Sequence, residues 1–455
     1  MSDAEPLDPA DLVVVGGGPA GLATAIGARL AGLEVTVLDR ARPPIDKACG
    51  EGLMPDAVAH LRALGVDLAP ADSYPFRGIR YIDGAVTAEG FFPRAAGLGA
   101  RRLALHQAMV RRAQEVGVRL AWGAVVKSLP AGPPYAGVEI ETGGGRSLVR
   151  ARWIVAADGL RSRLREQAGF AGAPALSRRS RRFGVRRHFA LPPWSDCVEV
   201  YWGPACEAYV TPVSPEQVGI ALLWSRGPSD FDTLLAHFPA LAERVAGAPV
   251  ASRDRGAGPL LQRVSGVVRG NLALVGDAAG YLDAITGEGM SVAFHEAAAL
   301  VAAISGRESR AQGTSPPAPL PSPFHPPPGE GRNLEENTDE DAILPKFSPL
   351  PGTGRAGDGR GAGGEVPPDL NAGSAGDLAA YSRAWRRINR LPNAITSVVL
   401  FLERRPRLRA RAIRALAAEP ALFSRLLGIH ARALPPRSLG IEGALRLAWR
   451  LVAAV

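Results

Sequence analysis

The sequence predicts an α/β fold: a parallel sheet wound with helices, interrupted by an inserted β-rich domain and followed by a C-terminal helical region. Three observations predict it. An apolar strand at 11–15 runs into a glycine turn and a small-residue helix. A second apolar stretch, beginning at Trp153, ends in Asp158-Gly159, and a third, at 272–275, ends in Gly276-Asp277.

The first segment, Gly16-Gly17-Gly18-Pro19-Ala20-Gly21, is G-x-G-x-x-G between a strand and a helix that stops near Gly32, with a second strand at 34–38. Gly16 permits the tight turn, Gly18 lets backbone amides approach a pyrophosphate, and Gly21 lets the helix pack closely on the strand. Asp39 ends the second strand about twenty residues further on, where a carboxylate binds a ribose hydroxyl. Taken by itself the motif is weak. Strand, helix and terminal acid together make it a dinucleotide site without choosing between FAD and NAD.

Residues 276–290, GDAAGYLDAITGEGM, lead into an Ala-rich helical stretch at 291–304 and fit the second FAD contact of a flavoprotein. Asp277 is placed to accept hydrogen bonds from ribityl hydroxyls. The amides around Gly287 and Gly289 point out of a helix start, whose free N–H groups and dipole favour a pyrophosphate or a reduced flavin anion. By itself this segment reads equally well as a capped glycine turn, as Asp158-Gly159 does.

In the order G-x-G-x-x-G, Asp-Gly, Gly-Asp, the three segments resemble the flavin-dependent hydroxylase superfamily typified by para-hydroxybenzoate hydroxylase, over most of the chain outside 309–376. The closer likeness is to the geranylgeranyl reductase family. Asp46-Lys47-Ala48-Cys49-Gly50-Glu51-Gly52-Leu53 looks like the cysteine-glycine segment those proteins place beside the flavin, and Thr286-Gly287-Glu288-Gly289 matches their turn near the isoalloxazine. Arg102, opening a helical stretch, occupies the place of an arginine that contacts FAD. Ala284 stands where many relatives carry proline, and Tyr209-Val210-Thr211-Pro212 only loosely resembles their aromatic substrate-domain motif, departures that bear on the substrate more than on the cofactor.

The resemblance implies a Rossmann-like FAD-binding domain of the glutathione reductase type, assembled from 8–72, 100–172 and 268–308. A β-rich substrate domain takes 73–99 and 173–267, and a helical region 377–455. The implied FAD contacts are Gly16, Gly18, Ala20, Gly21, Asp39, Arg40, Cys49, Gly50, Arg102, Asp158, Gly159, Gly276, Asp277, Gly287 and Gly289. The implied activity is reduction of carbon–carbon double bonds in an isoprenoid or other apolar small molecule. The alternatives are an FAD monooxygenase on an aromatic or polyketide-like compound and a non-catalytic flavin-binding redox sensor. No Ser-His-Asp or paired-carboxylate site emerges, and none is required when a flavin carries the chemistry. Glu288 and Cys49 are candidate proton or positioning groups; their structural alternatives are a helix-start carboxylate favoured by the dipole and a packed thiol. With one dinucleotide fingerprint, NAD(P)H as electron donor would bind transiently, and another donor is equally open.

Composition narrows the rest. The net charge is +9, but lysine occurs only at Lys47, Lys127 and Lys346, and no zinc-finger or RNP-type motif accompanies the arginines, which argues against nucleic acid. The patch Arg178, Arg179, Arg181, Arg182, Arg186 and Arg187 reads as a solvated strand edge, or as an attractor of an acidic substrate or an NADPH phosphate. Cys49, Cys197 and Cys206 form no C-x-x-C pair, which argues against a disulfide framework and a zinc site. No apolar run long enough to span a membrane occurs, and the acidic start lacks the parts of a secretory signal, so the expected location is the cytoplasm.

Strands are expected in 77–92, with a turn at Asp83-Gly84, and at 198–202 and 218–224, with Tyr201, Trp202, Tyr209 and Trp224 as candidate pocket-lining groups. Residues 309–376, rich in proline, acid and glycine by turns, read as a disordered insertion. From 378 onward apolar residues alternate with arginines, among them Arg404, Arg405, Arg407, Arg409, Arg411 and Arg414. Such basic amphipathic helices either pack on their own domain or lie on an anionic membrane face.

Overall fold

The computed structural model describes residues 9–172, 181–204, 206–225, 229–306 and 374–453. The first half of the chain runs β1 (Ala10–Val15), α1 (Pro19–Leu30), β2 (Val35–Asp39), β3 (Gly52–Leu53), α2 (Pro55–Ala63), β4 (Ser73–Phe76), β5 (Gly78–Asp83), β6 (Val86–Phe91), β7 (Gly97–Ala100), α3 (Arg102–Glu115), β8 (Arg119–Trp122), β9 (Val125–Ser128), β10 (Gly137–Thr142), β11 (Gly145–Ala156) and α4 (Arg163–Gln167). There follow β12 (Phe183–Phe189), β13 (Cys197–Trp202), β14 (Cys206–Ser214), β15 (Gln217–Trp224), α5 (Phe231–Leu235), α6 (Pro239–Arg244), β16 (Arg255–Ala257), β17 (Val268–Arg269), β18 (Leu272–Leu274) and α7 (Gly289–Ser305). Four helices close the chain: α8 (Ser374–Glu403), α9 (Pro406–Ala418), α10 (Pro420–His430) and α11 (Gly440–Ala453).

The first sheet has the order β17-β18-β11-β1-β2-β8, with β1 parallel to both β11 and β2. Strands β1 and β2 are nearly continuous apolar runs because both faces of a parallel sheet are covered. Helix α1 covers it with small residues and packs on α7; a side chain at Gly27 would meet Val301 of α7. The parallel order brings the C-terminal ends of β1, β11 and β18, which carry the three predicted motifs, side by side.

A seven-stranded sheet, β16-β12-β15-β14-β13-β5-β6, gathers 78–91 and 183–257. Its β5–β6 hairpin turns at Gly84, in the left-handed region at φ 60°. Helices α9 and α10 lie on β6, where Gly90 leaves room for Phe423 and Leu427. Helix α8 begins at Ser374, inside the stretch read as insertion, because Gly376 obscured the helix start; the rest of that insertion, like Arg178 and Arg179, lies outside the described residues.

Within the arginine patch, Arg182, Arg186 and Arg187 depart from both readings given above, while Arg181 is exposed. Arg182 is buried among three carboxylates, with Glu207 at 2.5 Å, Asp283 at 2.9 Å and Glu403 at 3.5 Å. Arg186 is buried on Asp46, and Arg187 pairs with Asp232 and Asp254. These side chains face partners brought in from distant parts of the chain, which local charge density does not reveal. Glu207, Asp283 and Glu403 come from the second sheet, the loop before α7 and the end of α8, so Arg182 joins all three regions. Replacement by methionine removes the cation and leaves buried carboxylates uncompensated. Arg182→Met is expected to destabilise the protein by ~3–5 kcal/mol, read as a lower urea midpoint.

Candidate flavin site

The three motifs meet because glycine lets their backbones approach. A Cβ on Gly16 (φ 112°) would lie 2.2 Å from the Ala157 carbonyl oxygen, one residue before Asp158. A Cβ on Gly21 would lie 1.9 Å from the Gly16 oxygen, and one on Gly276 would lie 2.7 Å from the Ala20 Cβ. The turn after β1 therefore touches both the Asp158-Gly159 and Gly276-Asp277 turns.

Side chains fix this turn. Asp39 accepts from the Gly17 N–H through Oδ2 and from the Ala41 N–H through Oδ1, both at 2.8 Å, while Arg40 is exposed. On α3, His106 donates from Nε2 to the Gly17 carbonyl at 2.9 Å and packs edge-on to Trp122. Burial lowers its pKa to about 4, so it is a neutral donor. One turn earlier, Arg102 is buried; its Nη1 has no partner, and its Nη2 lies 3.7 Å from the Cβ position of Gly18.

Arg165 of α4 bonds the carbonyls of Asp277 at 3.2 Å and Leu160 at 2.9 Å, and so ties the second and third turns together. Asp158 accepts the Arg163 N–H through Oδ2 while its buried Oδ1 is unpartnered. Burial raises the Asp277 pKa against the pull of Lys47, Arg102 and Arg165. Gly50 is exposed, and Gly159 (φ 83°) has the Lys47 ammonium 3.9 Å from its Cβ position. A side-chain-free turn, cations around it and orphaned buried polar atoms on Arg102 and Asp158 fit FAD: the turn and Arg102 suit the pyrophosphate, and Asp277 the ribityl chain.

The turn before α7 has Gly287 in the left-handed region at φ 70° and Glu288 as N-cap residue, with Gly289 opening the helix. Burial raises the Glu288 pKa despite the pull of His430, whose Nδ1 is 3.2 Å away, and of Arg432. Burial pushes the Cys49 thiol up to about 11, with Glu51 adding to the effect, so it is a protonated group and not a thiolate nucleophile. All three cysteines are free, and among the described residues no cluster suited to a metal occurs.

Several contributors escaped the sequence reading. The C-terminal helices wall the site: Thr396 of α8 bonds Thr286 at 3.2 Å, and His430 of α10 bonds the Thr286 carbonyl at 3.1 Å. A cavity of about 270 Å³ lies between Asp277, Glu288 and the α8 residues Trp385, Asn389 and Pro392. Of the aromatic residues expected to line a pocket, Trp202 and Trp224 pack in cores, Tyr201 bonds Glu199, and Tyr209 holds the Ile285 carbonyl at 2.8 Å. Glu296 of α7 is buried, accepting the Gly276 N–H at 2.7 Å and Asn389 Nδ2 at 2.8 Å. Its only sequence signal is an acid on the apolar face of a helix; Arg102 and His106, one turn apart, share a helix face in the same way.

A sequence profile described as the FAD binding domain matches residues 9–202. Together with the site, this defines an FAD-dependent oxidoreductase. The menaquinone reductase of Mycobacterium tuberculosis is 32% identical over 305 residues, 62% of this chain and 73% of that protein. Digeranylgeranylglycerophospholipid reductase 1 of Methanopyrus kandleri is 29% identical over 62% of this chain and 77% of its own. The chain belongs to the geranylgeranyl reductase family. Para-nitrophenol 4-monooxygenase of a Pseudomonas strain is 30% identical over 35% of this chain and 42% of its own. A flavin-dependent brominase shares the fold, with a TM-score of 0.59 at 24% identity over 66% of this chain and 79% of its own.

Glu296 gives the site a pH signature. Burial raises its pKa from the ordinary 4.5 to about 7, so its contribution to stability is full below 4.5 and is lost as pH rises through 7. Relative to Glu296→Gln, the wild-type protein is expected to lose on the order of 2–3 kcal/mol across that window, measured by urea unfolding of both proteins at a series of pH values.

Proposed function

We propose that the protein uses FAD to reduce a carbon–carbon double bond of an isoprenoid or similarly apolar substrate. The observation that carries this reading is the reach of the likeness. Menaquinone reductase matches over 305 residues, well beyond the span of the FAD binding domain profile, whereas the para-nitrophenol 4-monooxygenase match covers only 172. The match to the reductase therefore covers more of this chain than the match to the monooxygenase does.

Bound and reduced, the flavin supplies the hydride. The chain's own residues bind, shield and protonate. Arg102 and the Gly16–Gly21 turn would take the pyrophosphate, and Asp277 the ribityl hydroxyls. The cavity beside Asp277 and Glu288, with Trp385 and Pro392 on its α8 wall, suits a segment of an apolar chain. Glu288, whose burial keeps its proton into a higher pH range, is the proton donor this arrangement favours. NAD(P)H or another donor would reduce the flavin from outside this cavity. The test is to incubate the FAD-loaded protein, reduced with dithionite in the absence of oxygen, with menaquinone and weigh the product. Once the quinol that dithionite forms has been reoxidised in air, a lasting gain of two hydrogens is expected; no lasting gain, with a gain of one oxygen under air and NADPH, would favour the monooxygenase.

The C-terminal helices support peripheral contact with an anionic membrane, from which such a substrate would come. Ile441, Leu445 and Trp449 recur at four-residue spacing along α11 and are 82%, 64% and 71% exposed. Helix α9 carries no acid, and Arg407, Arg411 and Arg414 on it are exposed. An apolar stripe beside basic residues suits a headgroup boundary. Among the described residues no helix is long and apolar enough to cross a membrane. Wild-type protein is expected to float with phosphatidylglycerol liposomes and Trp449→Glu to float less; wild-type protein left at the bottom of the gradient removes the proposal.

A further inference from the structure

We propose that Glu51 and His188 are positioning residues that couple the second sheet to the FAD site through the two oxygens of one buried carboxylate. Glu51 is buried and sits at φ 62°, a left-handed conformation that costs a glutamate energy and persists only where its surroundings impose it. Its Oε1 accepts the Arg102 N–H at 2.7 Å, and its Oε2 accepts from His188 Nε2 at 2.5 Å. Its own N–H points to Cys49 Sγ at 3.3 Å, and its carbonyl accepts the Ala100 N–H at 3.0 Å. One side chain thus fixes the start of α3, from which the Arg102 guanidinium reaches Gly18, and the cysteine-glycine segment beside it.

His188 holds the other end. It lies on β12, with Nδ1 2.8 Å from Ser252 Oγ, and Arg186, two residues earlier on the same strand, bonds Asp46 at 2.5 Å and the Lys47 carbonyl at 3.3 Å. Thr211 of β14 donates to the Gly50 carbonyl at 2.8 Å. The neighbouring strand leaves room: a Cβ on Gly219 would lie 3.1 Å from Glu51 Oε2 and 3.4 Å from His188 Cδ2. Three residues of the second sheet thus grip 46–51, and two of them act through the carboxylate that also holds Arg102: His188 by a hydrogen bond and Arg186 as an ion pair at 3.7 Å. A shift of β12 is transmitted to Arg102 and Cys49, so FAD affinity depends on a strand outside the cofactor domain.

The test titrates FAD, by quenching of its fluorescence, into apoprotein of wild type, Glu51→Gln, His188→Gln, the double variant and Glu51→Gly. Glycine accepts the left-handed backbone without strain, so Glu51→Gly removes the carboxylate while leaving the turn favourable. Its apoprotein is expected to be folded at the titration temperature, shown by a cooperative melting transition above it, yet to bind FAD at least tenfold more weakly, with a shifted visible absorption band at saturation. In the cycle, the double variant is expected to bind no more weakly than the weaker single variant, as for groups acting through one contact. FAD affinity and absorption unchanged in Glu51→Gly, or effects of the two single variants that multiply in the double, would overturn the proposal.

Discussion

The cofactor site depends on backbone approaching backbone more closely than any side chain permits. At Gly16 and Gly21 a methyl group would fall inside the van der Waals radius of a carbonyl oxygen, and at Gly276 inside that of Ala20. Parallel pairing of β1 with β11, and of β11 with β18, brings three strand ends into line, and the glycines let the turns beyond them touch. Asp39, Arg102, His106 and Arg165 can reach the shared turn only because it is this compact.

Beyond that turn the protein buries several ionisable groups between its regions. Arg182 sits among three carboxylates, Arg186 spans Asp46 and Glu51, and Glu296 accepts from the Gly276 amide and from Asn389. Each group is held by hydrogen bonds from different elements, so the desolvation cost of one is offset only in the assembled fold. These contacts mark the joints between the cofactor sheet, the second sheet and the C-terminal helices. At these joints the buried polar groups sit beside apolar packing, such as Phe423 and Leu427 against β6.

The helical C-terminal region is part of the site. Tyr381, Trp385 and Asn389, four residues apart on α8, face the strand and turn of the Gly-Asp motif: the Tyr381 hydroxyl bonds the Leu274 carbonyl at 2.6 Å, and Asn389 bonds Glu296. Thr396 and His430 hold the turn before α7. A chain segment more than eighty residues downstream of the motif therefore shapes the cavity next to it. Of the aromatic residues expected to line a pocket, none is among the residues around this cavity.

By itself the sequence determined the strand–turn–helix units and their three motifs, because tight turns, close backbone approach and buried strands each demand particular residue types at short range: Gly16, Gly18 and Gly21 after β1, Asp39 at the end of β2, Gly276-Asp277 after β18. It determined a dinucleotide site for the same reason, with FAD implied by the resemblance of the three motifs together, and it determined the hairpin at Asp83-Gly84. Only the tertiary structure decided what the buried polar groups do. Whether Arg182 is a solvated arginine or the centre of a carboxylate cluster, whether Cys49 is a thiolate or a thiol, and whether Glu51 holds His188, 137 residues away, depend on partners from distant segments. Periodicity and motif report a residue's neighbours along the chain; charge, burial and pKa are set by its neighbours in space.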